Sequence, residues 1–299
     1  MTVTEKAYGK INLCLDVISR RSNGYHNVES IMHTVSLCDI VTLEKRDEIS
    51  ISSTTDKIPT DGRNLAFKAA NAFFDKTGIT GGVHIHIEKH IPIAAGMAGG
   101  STDAAATLRG LNKLYGFPLS SMELEAIGSK LGADVPFCIR GGTEGVTGIG
   151  YDFLPVEPPM DFIYVVSCGS EGVSTPEMYG EYDNRFNPPI NDLPTKDFSG
   201  KSKLLKDALK KGDRNLVLSH MFNCFEQIVE EKRPEIKVIK QIMAENGCVF
   251  SMMSGSGPSV FGIFNNIDDA NKALEAIGEK GISAFVCHKN SFWSNTSQK

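Results

Sequence analysis

The residues best suited to chemistry cluster in one stretch, Ile91-Pro-Ile-Ala-Ala-Gly-Met-Ala-Gly-Gly-Ser-Thr-Asp-Ala-Ala-Ala106. Gly96, Gly99 and Gly100 stand among small residues there, and Ser101, Thr102 and Asp103 open an apolar run with helical spacing. Glycine lets backbone N–H groups come close to an anion, and the unpaired N–H groups of a helix start attract phosphate. The stretch from Pro92 to Thr102 is therefore a candidate phosphate cradle. A tight strand-to-helix connection, packed closely for its own sake, also explains the glycines. Two familiar phosphate signatures are absent. Gly200-Lys-Ser202 lacks the earlier glycine of a Gly-x-x-x-x-Gly-Lys-Ser/Thr loop because position 195 is Thr195, and no Gly-x-Gly-x-x-Gly occurs.

Other polar residues stand in apolar surroundings. Asp134, in Gly132-Ala-Asp-Val-Pro136, precedes an apolar segment, a place where aspartate commonly caps a helix or turn. Lys10 opens an apolar strand segment, and a lysine at a strand end is ordinarily solvated. His84, His86 and His90 invite a metal reading. On a strand, His84 and His86 share one face while Val83, Ile85 and Ile87 share the other, so a half-solvated strand accounts for them. No His-Glu-x-x-His or Cys/His spacing supports zinc, and no metal ligand is assigned.

These groups need elements to hold them. Alternation predicts a strand over 10–18, a turn over 20–24 and one or two strands over 30–43. A helix is predicted over 64–76, stopping before Gly78, then a strand over 82–88 and a helix over 101–115 with Ala104, Ala105, Leu108, Leu111 and Leu114 on one face. Pro155, Pro158 and Pro159 place a junction at 154–160, giving expected domains over 1–155 and 160–290. Beyond it, 162–166 reads as a buried strand and 182–202, with Pro188, Pro189 and Pro194, as a long irregular loop. Amphipathic helices follow over 216–231 and 234–246, then strands over 249–253 and 260–264, and after Cys287 the chain is expected to fray. Strands and helices without strict alternation indicate an α+β fold.

Composition narrows the classes. The 299 residues are 41% hydrophobic and 22% charged, enough for a sizeable core. Lys plus Arg number 31 against 36 Asp plus Glu, a net charge of −5, which has the wrong sign for a protein dominated by nucleic-acid backbone contacts. The seven cysteines are scattered with no Cys-x-x-Cys pair, which suits reduced thiols in a cytoplasm. The first ten residues carry charge where a signal peptide needs apolar residues, and no apolar run reaches the roughly 18 residues of a membrane span. A cytoplasmic protein with no membrane and no nucleic-acid partner is expected.

Ala7-Tyr-Gly-Lys-Ile-Asn-Leu13, the loop over 92–105, and Ser254-Gly-Ser-Gly-Pro-Ser-Val-Phe-Gly262 resemble the three motifs of the GHMP kinases. That superfamily is named for galactokinase, homoserine kinase, mevalonate kinase and phosphomevalonate kinase. Gly24-Tyr-His-Asn-Val-Glu-Ser-Ile31 and Leu131-Gly-Ala-Asp-Val-Pro-Phe137 resemble the branch that acts on 4-diphosphocytidyl-2-C-methyl-D-erythritol. The resemblance implies a two-domain GHMP kinase fold, with a ribosomal-protein-like N-terminal domain and a ferredoxin-like C-terminal domain. It also implies phosphorylation of the C2 hydroxyl of that compound by ATP with Mg²⁺, in isoprenoid precursor synthesis.

Such a transfer needs a phosphate cradle, an acceptor for the hydroxyl proton and positive charge near the reacting centre. The matching positions are Asp134 as base and Lys10 as the catalytic cation, with ATP contacts from Pro92, Ile93, Ala94, Ala95, Gly96, Met97, Ala98, Gly99, Gly100, Ser101 and Thr102. Asn64 and Lys89 match positions near adenine, Asn12 and His26 the cytosine edge, and Tyr25 and Tyr179 the faces of the base. Gly255, Ser256 and Gly257 would bring further backbone to the active site. The competing readings are a homoserine- or mevalonate-type kinase, against which the Gly-Tyr-His segment argues, and a nucleotide-binding regulator, against which the pair Lys10 and Asp134 argues.

Overall fold

A computed structural model describes residues 1–169 and 172–288. Its elements in chain order are β1 (Thr2–Arg20), β2 (His26–Arg46), β3 (Ser50–Ser53), α1 (Leu65–Thr77), β4 (Gly82–Glu88), α2 (Gly99–Leu114), α3 (Ser121–Leu131) and α4 (Val135–Arg140). Then come β5 (Thr143–Thr147), β6 (Asp152–Leu154), β7 (Ile163–Cys168), α5 (Thr175–Phe186), α6 (Gly200–Lys211), α7 (Arg214–His220) and β8 (Phe222–Asn223). The last are α8 (Glu226–Lys232), α9 (Glu235–Glu245), β9 (Phe250–Met253), β10 (Val260–Phe264), α10 (Ile267–Gly278) and β11 (Ser283–His288). The expected frayed tail lies outside the described residues, apart from His288. The elements gather into two units that interleave along the chain. Unit 1 holds Met1–Gly9, Leu37–Ile93 and Ala98–Gly141, and unit 2 holds Lys10–Ser36, Ala94–Met97 and the chain from Gly142 on.

Unit 1 is a helical layer on a sheet. In it β3 runs parallel to β4, and β4 runs antiparallel to the later half of β2. Helix α1 begins where the Asn64 side chain accepts from the Ala66 N–H at 2.8 Å and ends at Gly78, whose φ of 67° suits glycine. Ala66, Ala69, Ala70 and Phe73 recur at helical spacing and are buried. A capping box between Ser120 and Glu123 starts α3. Helix α2 lies close on the sheet because Gly110 has no side chain to overlap Leu43.

Unit 2 contains an antiparallel sheet in the order β11-β7-β10-β9, with α9 and α10 packed on it. Helix-linked strands in this order make the split β-α-β arrangement of a ferredoxin-like fold. Its core includes Val165, Phe225, Ile239, Met243, Phe264 and Ala273. In the same unit the early half of β2 pairs with β5, β5 with β6, and β1 with β8.

Of the one or two strands expected over 30–43, one continuous strand, β2, forms. Two expectations are corrected. The loop expected over 182–202 shrinks to 187–199, because Tyr182 and Phe186 continue α5, their rings 4.7 Å apart, and Gly200 starts α6 with Leu205, Ala208 and Leu209 buried. The helix expected over 216–231 breaks into α7 and α8. Asn223 interrupts it, donating to the carbonyls of Met253 at 2.9 Å and Gly255 at 2.8 Å while its Oδ1 accepts from the Phe225 N–H.

Candidate active site

In unit 1 the glycine loop ends by entering α2. The residue before this helix, Ala98, is left-handed at φ 61°, and no side chain caps the helix start. The N–H groups of Gly99, Gly100 and Ser101 precede the first bond of the helix, Thr102 N–H to the Ala98 carbonyl at 2.8 Å. The start therefore presents backbone donors and the positive end of the helix dipole with no side-chain oxygen in the way, the arrangement that receives a phosphate. The Thr102 hydroxyl donates to the Gly99 carbonyl at 2.9 Å.

Beneath this start lies a buried charge cluster. The Lys89 side chain is 6% exposed, and its ammonium donates to Asp103 at 2.8 Å and to Asp39, which also accepts from the His90 and Ile91 N–H groups. Burial alone pulls the Lys89 amine down, but Asp103 and Asp39 together outweigh it and the group ends above its ordinary value. Burial pushes the Asp103 carboxyl up to about 7, with Lys89 opposing and Asp39 adding to the rise. The cluster ties β2, the end of β4 and the first turn of α2 together. Lys89, expected near adenine, thus has its ammonium held by two carboxylates. Asn64 likewise uses both amide atoms, accepting from Ala66 and donating to the Pro59 carbonyl at 2.8 Å.

Asp134 stands at the N-cap position of α4, yet its side chain makes no capping bond. The turn that carries it approaches α2: a Cβ on Gly132 would lie 3.9 Å from the Ser101 hydroxyl oxygen.

Unit 2 holds the other half of the glycine loop. A side chain on Gly96, at φ 75°, would come within 2.7 Å of the Ser254 carbonyl oxygen, and one on Gly255, at φ 60°, within 3.1 Å of the Gly96 carbonyl oxygen. Glycine is required at both positions for the two loops to meet. The Ser259 N–H donates to the Ala95 carbonyl at 3.3 Å.

Lys10, 4% exposed, donates from Nζ to Asn12 Oδ1 at 2.8 Å. Asn12 Nδ2 donates to the Ser30 hydroxyl at 2.8 Å, and that hydroxyl donates to the Cys14 carbonyl at 2.6 Å. The Asn12 N–H donates to the Ser254 hydroxyl at 3.2 Å. Asn12, expected at the cytosine edge, is 1% exposed and fixes the Lys10 ammonium instead of facing outward. Tyr25 is 63% exposed, while His26 is buried against Tyr179 at 4.7 Å between ring centroids.

The histidines over 84–90 have simpler partners. His84 bonds the Ser50 and Ser52 hydroxyls and His86 bonds Ser52, all across the β3–β4 ladder. Among the described residues no group of three or more His, Cys, Asp or Glu could hold a metal ion. Asn223 and Asp39 escaped the sequence reading, which placed Asp103 only at the helix start and Ser30 only within a motif, since only the fold brings these residues to their partners.

Residues 64–142 match the family model of the GHMP kinases N terminal domain, and 205–283 that of the GHMP kinases C terminal domain. The chain belongs to the GHMP kinase family. The first match spans Asn64, Lys89, the glycine loop and Asp134, and the second spans Gly255–Gly257; the two lie on either side of 154–160. Among GHMP kinases, the chain is 42% identical over 285 residues to the 4-diphosphocytidyl-2-C-methyl-D-erythritol kinase of Clostridium botulinum, covering 94% of this chain and 98% of that one. The enzyme of the same name from Clostridium perfringens is 43% identical over 278 residues, 92% and 93% of the two chains. A crystal structure of 4-(cytidine 5'-diphospho)-2C-methyl-D-erythritol kinase superposes with a TM-score of 0.77 at 30% identity, over 95% of this chain and 98% of that one. The homoserine kinase of Cytophaga hutchinsonii, at 18% identity and a TM-score of 0.73 over 97% and 94%, shares the fold.

Proposed function

We propose that this GHMP kinase transfers the γ-phosphoryl group of ATP to the C2 hydroxyl of 4-diphosphocytidyl-2-C-methyl-D-erythritol, giving the 2-phosphate and ADP. The observation that carries the reading is the uncapped start of α2 behind the glycine loop, in a chain more than 40% identical to enzymes of that name over nearly its whole length. Asp134 takes the proton of the C2 hydroxyl. The freed oxygen forms a bond to the γ-phosphorus as the bond to the β–γ bridging oxygen breaks, and the electron pair leaves on ADP. Lys10, fixed by Asn12, stabilises the negative charge that develops. The backbone donors of Gly99, Gly100 and Ser101 hold the phosphates, and Asn64 and Lys89 border the adenine. Tyr25, His26 and Tyr179 hold the cytosine.

Mg²⁺ fits such a site as a companion of the nucleotide, bound mainly through phosphate oxygens, because the described residues offer no carboxylate cage of their own. The Ser101 hydroxyl at the helix start is the side chain assigned to it, and the ion neutralises phosphate charge when bound. Among the described residues the cysteines form no disulfide with one another, and no helix is long and apolar enough to cross a membrane. Both support a cytoplasmic site of action, and the net charge of −5 supports a small-molecule partner rather than nucleic acid.

The test is a substrate panel with Mg·ATP. ADP release is expected with the cytidine diphosphate compound and not with homoserine or mevalonate; equal release with either of those would overturn the assignment.

A further inference from the structure

Helix α4, which has Asp134 at its N-cap, is too short to hold itself in place. Its six residues close little more than one turn, and a helix of that length owes its position to what surrounds it. Its last carbonyls have no partner within the helix. One of them, that of Cys138, accepts from Nη1 of Arg109 at 2.7 Å. The Cys138 N–H in turn donates to the Asp134 carbonyl at 3.0 Å, so one residue of α4 stands between the guanidinium and the backbone of Asp134.

Arg109 lies on α2, ten residues beyond Gly99 and so about 15 Å along the helix. All three of its nitrogens are engaged: Nη2 donates to the Lys6 carbonyl at 3.0 Å, and Nε to Glu5 at 3.2 Å. The Arg109 side chain is 12% exposed and that of Glu5 8%. A charge buried to this degree is costly unless its donors are met, and here a carboxylate and two carbonyls meet them. On another side α4 packs against α3, where a Cβ on Gly128 would come within 2.9 Å of both Val135 and Ile139. Such apolar packing is non-directional, and the ion pair from Arg140 to Glu125 of α3 involves an arginine that is 36% exposed, where such pairs contribute little. The guanidinium fork supplies the direction that packing lacks.

We propose that Arg109 is a positioning residue for phosphoryl transfer: by gripping the Cys138 carbonyl from α2 it fixes α4, and with it Asp134, relative to the backbone donors that open α2. Phosphate donors and base then ride on one rigid piece, where a misplacement of about 1 Å costs about a hundredfold in rate. The planar fork of arginine reaches a carboxylate and two carbonyls at once, which the single ammonium of a lysine does not.

The proposal rests on the reading of Asp134 as the base, and the experiment separates the two. Steady-state kinetics and Tm are measured for the wild type, Arg109→Met, Arg109→Lys, Asp134→Asn and the double variant Arg109→Met/Asp134→Asn, with rates taken well below each Tm. Lys113 remains to pair Glu5 in all of them. Arg109→Met is expected to lower kcat by about tenfold to a hundredfold and to leave KM for ATP within about twofold. In the Asp134→Asn background the same substitution is expected to change kcat by less than about twofold, because the group that it positions is gone. Arg109→Lys keeps the charge beside Glu5 and loses the fork, and its kcat should fall between those of the wild type and Arg109→Met.

A merely structural Arg109 would lower Tm and leave kcat alone, or lower kcat by the same factor with and without Asp134; either result overturns the proposal. A wild-type kcat in Arg109→Lys does so too, since charge alone would then suffice. If Asp134→Asn keeps the wild-type kcat, the reading of Asp134 as base falls and takes the proposal with it. If Asp134→Asn loses activity while the Arg109 variants keep theirs, the proposal falls alone. Should Arg109→Met not fold, Arg109→Lys completes the same cycle with Asp134→Asn.

Discussion

The ammonium of a lysine that is 4% exposed as a residue must have its hydrogens met inside the protein, and for Lys10 the Asn12 amide oxygen meets one of them. Lys10→Met should lower kcat by about 10²-fold or more while leaving KM for ATP near wild type, because its charge acts on the transition state. Asp134→Asn should do the same, and the double variant should lose little beyond the worse single one, as groups in one step do. Steady-state kinetics on the three proteins check this; additive losses would separate their roles. The Asp103 carboxyl gives a thermodynamic test. Its pKa rises from 3.8 to about 7 on folding, so the native state binds its proton more tightly. The stability it contributes is full below its unfolded value and is lost as pH rises through about 7. Asp103→Asn removes that titration, and its Tm relative to wild type should climb between about pH 5 and pH 8; a constant offset would contradict the assignment. The loop glycines stood out in the sequence by their spacing before a helix, and Lys10 and Asp134 by the family motifs they match, since their surroundings alone suggest a solvated strand end and a cap. Ser30 and Asp39 did not, because they meet their partners 18 and 50 residues away in the chain.

At the scale of elements, the glycine loop makes unequal demands on its glycines. Gly96→Ala forces a side chain into a left-handed residue against the Ser254 carbonyl, and should cost about 1–2 kcal/mol from the backbone conformation alone, plus the overlap. Gly100→Ala meets only Leu65 at 3.7 Å, an ordinary contact inside a helix, and should hold or raise Tm. Thermal unfolding of the two variants measures the contrast, and equal losses would refute it. Helices with a clear apolar period and short polar starts, such as α1, were legible to within a residue or two. The break between α7 and α8 was not, because nothing local ends the helix. Asn223 leaves the helical path to bond two carbonyls some thirty residues further on, and that gain exists only after β9 has formed. The loop over 182–202 was overextended for the opposite reason: proline and polar composition outweighed the short apolar period of α6, whose Leu205, Ala208 and Leu209 carry it.

At the scale of the whole molecule, composition and element order were enough for the α+β class, and five motifs in order were enough for the family; the interleaving of the two units was in neither. Periodicity along a strand says nothing about which of its residues gather with which distant segment. Here β1 is divided after Gly9 and β2 after Ser36. The division has a consequence for synthesis. Unit 1 has all its residues once Gly141 has left the ribosome, whereas residues 10–36 of unit 2 are made early and must wait for their partners. The Phe222 that lies beside Cys14 in the β1–β8 ladder comes 208 residues later. At about 5–20 residues per second that delay is of order ten seconds or more, during which an apolar strand has no native neighbour on that side. Nascent chains of this protein are therefore most exposed to misassociation in the middle of translation, and the strand at risk is the one that carries Lys10.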